Sequence, residues 1–267
     1  MNANIKGLLK QLYKSKFINS EIVTRIVGGT YGLMSSLFLH RKLTIFVYHD
    51  VTTQPSEFSQ TFNLNVSPEI FDRQIQFIKK NFNIINTDDL LESNIPNKAA
   101  LITFDDGFKS IFKNANPILL KHRVPCLILL NMGAVKGYLF WSGLIIFLCK
   151  YCPDFVEYLR KQQTTKINDN ALFLSCSKTV VENYLKNNSH DFDSVISDYI
   201  GEFANSSDLE NETTNQLVNF GNHLYNHYVP LLMSDEELLE SYNKNEDELR
   251  HFSNQRAVFA FPFGQPG

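Results

Sequence analysis

Charge of either sign is scarce in this chain. Asp, Glu, Lys and Arg make up 20% of its 267 residues, and the formal net charge is −3. That balance excludes a strongly basic nucleic-acid binder, and it also excludes a highly charged disordered chain. Cysteine is nearly absent: 4 residues are too few for a disulfide scaffold at this length, and they do not fix a compartment. Long hydrophobic runs are missing. The two most apolar stretches, residues 26–39 and 137–149 (GYLFWSGLIIFLC), are too short to span about 30 Å of hydrocarbon and read as parts of a soluble protein. There is no Gly-rich phosphate loop, since Gly28-Gly29 is not followed by Lys and Ser or Thr. No internal repeat and no low-complexity tract is visible.

A secretory signal is missing as well. Residues 1–25 are interrupted by Lys6, Lys10, Lys14 and Lys16, with no apolar h-region and no small-residue cleavage site. Residues 1–42 are read as an N-terminal helical segment, amphipathic at its start. Its lysines leave a peripheral membrane contact open. The expected location is cytoplasmic or at the membrane face.

What the chain does have is material for a large core: 43% hydrophobic residues, 13% aromatic, and 22 Phe. Residues 43–49 (LTIFVYH), 82–85, 99–104 (AALITF) and 124–131 (VPCLILLN) are short apolar runs, as buried strands are. Between them, Ser67-Pro68 offers an N-cap with Pro at the first helical position. Ile70, Phe71, Ile75 and Ile78 follow at helical spacing as a core stripe. Residues 110–123 read as a helix interrupted by Pro117. The alternation predicts an α/β fold with a parallel sheet or barrel. From 141 to 216 helical apolar runs alternate with Asn- and Ser-rich pieces, a helical insertion. The rhythm resumes with a strand at 217–220, a capping box at Ser234 and Glu237 opening a helix to about 252, and a strand at 257–261.

Two features carry chemistry. Thr103-Phe104-Asp105-Asp106-Gly107 puts adjacent carboxylates at the C-terminal end of a buried strand, where parallel α/β folds build their sites. At a strand end such a pair can split roles, one binding a metal and one handling a proton. The competing reading is an Asp-Gly turn. His223-x-x-x-His227 is the second feature, predicted to place two imidazoles on one face of a helical turn, as metal ligands require. Alone it is a weak signal.

TFDDG, the later His-x-x-x-His and the turn Phe261-Pro262-Phe263-Gly264 stand in the order seen in polysaccharide deacetylases, the NodB-homology group of carbohydrate esterase family 4. Phe46-Val47-Tyr48-His49-Asp50 and the helix at 71–81 also resemble that family, and the likeness covers about 43–140 and 217–267. It implies a distorted (β/α) barrel of the NodB-homology type within one domain at 43–267, interrupted by the insert at about 141–216. It also implies a metal-dependent hydrolase that removes N-acetyl groups from sugars of a polysaccharide or surface glycan. By motif position, Asp105 is the base, and Asp106, His223 and His227 bind a divalent metal, zinc, whose water is the nucleophile. The N–H of Phe263 stabilises the oxyanion.

Two departures accompany the likeness. Ala260 stands where the family often has an Arg paired to the base, which leaves the tuning of Asp105 open. A later Asp-containing motif and a Leu-x-His motif, whose His protonates the leaving amine, would lie beyond Gly267, so the barrel is expected to be incomplete at its C-terminal end. These departures motivate a rival reading, a non-catalytic glycan-binding or regulatory relative. A third reading keeps the metal and changes the substrate to an O-acetyl ester or a small amide. His49 is left between a hydrogen-bonded strand-end residue and one approaching the site. Trp141 is read as a core anchor and Cys149-x-x-Cys152 as packing. Glu236, Glu237, Glu240, Glu246, Asp247 and Glu248 are read as a solvated helix face.

Overall fold

The computed structural model describes residues 43–162, 169–187 and 193–264. The expected N-terminal helical segment at 1–42 lies outside the described residues, as do the last three positions.

The first half alternates strand and helix: β1 (Thr44–Tyr48), β2 (Asp50–Val51), α1 (Glu57–Thr61), β3 (Asn65–Val66), α2 (Pro68–Asn81), β4 (Asn83–Ile84), α3 (Thr87–Leu91) and β5 (Ala99–Phe104). A π-helical turn (Ile111–Ala115) leads into α4 (Asn116–His122) and β6 (Cys126–Leu130). The link from β6 to the next strand is helical: α5 (Met132–Val135), α6 (Trp141–Tyr151), α7 (Pro153–Gln162), a 3-10 turn (Asp169–Ser175), α8 (Lys178–Asn187), α9 (Asp193–Ile200) and α10 (Ser206–Glu212). Then come β7 (Val218–Asn222), a 3-10 turn (Pro230–Leu232), α11 (Asp235–Leu249), β8 (Gln255–Phe259) and a final turn (Pro262–Gly264).

The main sheet is parallel throughout. β5 pairs with β1 along its length, with β4 at its start and with β6 at its end; β6 then pairs with β7, and β7 with β8. Among the described residues no ladder joins β8 back to β1. Every side chain of β5 and β6 is buried, as the unbroken apolar runs AALITF and CLILL require of central strands covered on both faces. β1 alternates instead, with Ile45 and Val47 half exposed. All these strands run the same way, so their C-terminal ends lie together.

Local sequence rules account for most boundaries. The Ser67 hydroxyl caps α2 by accepting from the N–H of Ile70, with Pro68 at the first helical position. Phe71, Ile75 and Ile78 are buried, but Ile70 is exposed. It precedes Phe71 by one residue, about 100° around the helix from the 71–75–78 stripe, so it falls off the face that packs. Pro117 cannot donate an N–H to the preceding turn, and the backbone widens into the π-helical turn before α4 restarts with Pro117 in its first turn. β8 begins two residues earlier than expected, which frees Ala260 and Phe261 for the turn that follows.

The apolar run at 137–149 is a buried helix. Trp141 through Leu148 of α6 are all buried, and a Cβ on Gly143 would collide with Ile200 of α9. Among the described residues no helix is long and apolar enough to cross a membrane. The four cysteines are unpaired, and Cys126, Cys152 and Cys176 are buried. Trp141 packs edge-on against Tyr228, at 4.7 Å between ring centres.

One expected surface residue is buried. Glu246 of α11 turns toward β7, accepting from Asn222 Nδ2 (3.1 Å) and Gln255 Nε2 (2.5 Å), whereas Glu236, Glu237, Glu240 and Asp247 are exposed. Helical period put Glu246 beside the core positions Asn245 and Leu249, and two amide donors satisfy its carboxylate there.

Candidate active site

The DDG turn ends β5. The N–H of Asp105 still donates to the carbonyl of Tyr48 in β1 (3.0 Å), just past the last ladder pair, Tyr48 with Phe104. Asp106 and Gly107 then take left-handed backbone, φ 71° and 89°, and the chain reverses sharply, with Gly107 N donating to Asp105 O at 2.9 Å. The reversal brings both carboxylates to one cavity. Only glycine suits position 107: its φ disfavours any side chain, and a Cβ would sit 2.7 Å from Leu130 Cδ2. Left-handed backbone at Asp106 is strain of the kind that collects at functional sites.

His223 and His227 do not share a helical turn. β7 stops at Asn222, and the next residues form an irregular loop with Leu224 (φ 61°) and His227 (φ 56°) in the left-handed region. Side-chain amides take the backbone bonds a helix would have used. Asn131 Nδ2 donates to His223 O (2.5 Å) and Leu224 O (2.8 Å). Asn222 Oδ1 accepts from Leu224 N (2.9 Å), and the Ser241 hydroxyl accepts from Tyr225 N (3.0 Å). The folded-back loop brings the imidazoles together, with ring centres 5.0 Å apart.

Asp106, His223 and His227 converge, all buried, with candidate ligand atoms within 4.8 Å of one another. Asp106 Oδ1 lies 3.2 Å from His227 Nε2 and 3.6 Å from His223 Nε2. His223 Nδ1 is 2.9 Å from the carbonyl of Ala260, and His227 Nδ1 is 2.5 Å from Ser142 Oγ. A carbonyl only accepts, so Nδ1 of His223 carries the proton and Nε2 presents a lone pair. Burial first, then His227, pushes the His223 imidazole down to about 3, so it is neutral at pH 7. Burial pushes the Asp106 carboxyl up, but His227 and then His49 outweigh it and hold it well below the usual carboxylate range. Its buried Oδ1 has no hydrogen-bond partner.

A bare imidazole nitrogen thus faces an ionised, unsatisfied carboxylate oxygen. Such converging acceptors fit a divalent cation, and two His plus one carboxylate is a hydrolytic zinc donor set that leaves a position open.

Asp105 stands beside the trio. Burial, as the largest cause, raises its carboxyl to about 6; His49 opposes this and Asp106 adds to it. No guanidinium faces it from position 260. His49 does, with Nε2 3.9 Å from Asp105 Oδ2. The register explains this: Tyr48 pairs with Phe104, so residues 49 and 105 leave the sheet side by side. The sequence alone assigns His49 no role, and its place at a strand end is the signal that points to the site. Phe263, at φ 59°, lies in the final turn, its ring 4.8 Å from that of His227. These groups border a cavity of about 590 Å³ whose other walls are mostly apolar, including Phe62, Leu64, Ile146 and Phe173. Ser142, Ile146 and Phe173 come from the helical insert at about 141–216, where the sequence offers no motif.

The polysaccharide deacetylase model matches residues 92–266, more than half of the chain. The chain belongs to the polysaccharide deacetylase family. It is therefore a hydrolase acting on carbon–nitrogen bonds, with the metal-compatible Asp/His/His group described above. Solved structures share the fold of this family member. IcaB from Ammonifex degensii matches at 16% identity, over 84% of this chain and 76% of that one, with a TM-score of 0.53. A polysaccharide deacetylase from Bacillus cereus matches at 15% identity, with a TM-score of 0.52. This chain is covered over 85% and spans only 53% of that one. A de-N-acetylase from Aggregatibacter actinomycetemcomitans matches at 14% identity, over 84% and 80%, with a TM-score of 0.50. No curated protein matches the sequence.

Proposed function

We propose that this family member removes N-acetyl groups from sugars of a glycan. The observation that carries the reading is the convergence of Asp106, His223 and His227 in the lining of a cavity that Asp105 also borders. Asp106 Oδ1 and the Nε2 atoms of His223 and His227 would hold the metal, and the donor set favours zinc. When bound, the cation supplies a more acidic water and polarises the substrate carbonyl.

The remaining work falls to the chain. Asp105, raised to about 6, is largely ionised at pH 7 and basic enough to take a proton from the attacking water, as a general base should be. It is the proposed base. The oxygen adds to the acetamide carbonyl, the C–N bond breaks, and acetate and a sugar amine leave; the amine keeps the electron pair and takes up the proton that Asp105 removed from the water, which returns Asp105 to its ionised form. The N–H of Phe263 is the proposed donor to the oxyanion. His49 faces Asp105 and lowers that carboxyl against its burial, at a place where Ala260 offers no guanidinium.

Acetate release from N-acetylglucosamine oligomers, measured with and without added zinc and beside Asp105→Asn, tests this. Zinc-dependent release that the variant loses supports it. A folded, zinc-loaded chain that binds the oligomers and releases no acetate favours the glycan-binding reading. Release from O-acetyl sugars alone changes the substrate class.

A further inference from the structure

We infer that Ser142 is a positioning residue of this centre, fixing the tautomer and ring plane of His227, so that the helical link between β6 and β7 takes part in building the site. The inference rests on the metal-site reading above. Ser142 is the second residue of α6 and is 2% exposed. Its Oγ is 2.5 Å from His227 Nδ1. Besides Asp106 and His223 at its Nε2 side, the ring is flanked by aromatic neighbours, Phe140 at 5.0 Å and Phe263 at 4.8 Å between ring centres.

The two imidazoles are held differently. His223 is committed by a main-chain carbonyl, which no substitution at 260 removes. His227 depends on a side chain from a distant part of the sequence. Its own backbone is left-handed and lies in an irregular loop, so helical geometry does not aim the ring. For Nε2 to offer a lone pair, the ring proton must sit on Nδ1, and the Ser142 hydroxyl is placed to accept it. The start of α6 cannot drift, because Trp141 through Leu148 are buried and Gly143 is pressed against Ile200.

The test is zinc affinity of the metal-free full chain, measured by competition with a chromophoric chelator, for wild type, Ser142→Ala and Ser142→Thr. Loss of this orienting bond is expected to weaken zinc about 10–100-fold in the Ala variant, with most of it restored by Thr, which keeps the hydroxyl. Equal thermal melts of the metal-free forms separate this from misfolding. Long-range ¹H–¹⁵N spectra of zinc-loaded wild type give a readout that needs no variant: a slowly exchanging proton on Nδ1 of His227. Wild-type affinity in Ser142→Ala, or a His227 ring protonated on Nε2, overturns the role of Ser142 alone. A wild-type chain that binds no zinc overturns the metal reading itself.

Discussion

The Nδ1 of His223 lies 2.9 Å from the main-chain carbonyl of Ala260. That contact ties the loop after β7 to the turn after β8 and decides which ring nitrogen is bare. The residue at 260 does this with its backbone, so losing an arginine there costs the centre nothing in tautomer control. What it changes is Asp105, which has a histidine in front of it and no guanidinium.

Asp105→Asn should therefore keep the metal and lose the reaction. A fall of about 10²–10⁴-fold in acetate release is expected, the usual worth of a general base. Zinc affinity, measured on the same sample, should stay near that of wild type. The wild-type rate should rise with pH along an acid limb centred at or below about 6, because only ionised Asp105 accepts a proton and a neighbouring cation would lower its value further. The variant should lack that limb. Near-normal turnover would remove Asp105 from the role.

Gly107→Ala should destabilise the fold by roughly 1–3 kcal/mol, from left-handed strain and overpacking. The new Cβ would meet Leu130 Cδ2 at 2.7 Å, one residue from Asp106. Zinc affinity should fall with Tm, and an unchanged Tm would mean the turn tolerates a side chain.

Asn131→Ala should uncouple the loop carrying the imidazoles. The amide donates to the carbonyls of His223 and Leu224, both at buried positions. Leaving two such acceptors unpaired costs about 2–6 kcal/mol. Urea denaturation would show this as a lower midpoint, and zinc would bind less tightly. Loss of stability without loss of zinc affinity would separate the loop from the centre.

Asp72 reports on acid stability away from the site. His122, then Lys121, draws its carboxyl from 3.8 down to about 2 and links α2 to the end of α4. A depressed folded value means the stabilisation is full above the ordinary pKa and is lost as pH falls through about 2. Asp72→Asn should thus lower Tm at pH 6, with the difference shrinking below pH 4. A Tm gap independent of pH would contradict the ion pairing.

Much of this was readable in the chain. β5 and β6 announced themselves as unbroken apolar runs, Ser67-Pro68 as a helix start, and Pro117 as a break. The residues that converge, Asp106, His223 and His227, were all candidates from spacing and motif. The loop geometry was not readable, because His-x-x-x-His reads as a helical turn until the amides of Asn131 and Asn222 are seen competing for its backbone. Ile70 and Glu246 were misplaced because period fixes a face only to within one position, and burial of a carboxylate depends on distant donors. His49 and Ser142 needed tertiary information: the β1–β5 register for one, the packing of α6 for the other.

The most direct measurement is zinc titration of the purified chain beside Asp106→Ala. Expected is one zinc per chain, with affinity lost in the variant while the fold, followed by circular dichroism, is kept. A folded wild-type chain that takes up no zinc, or a variant that binds it equally well, would contradict the metal centre on which the proposed hydrolysis rests.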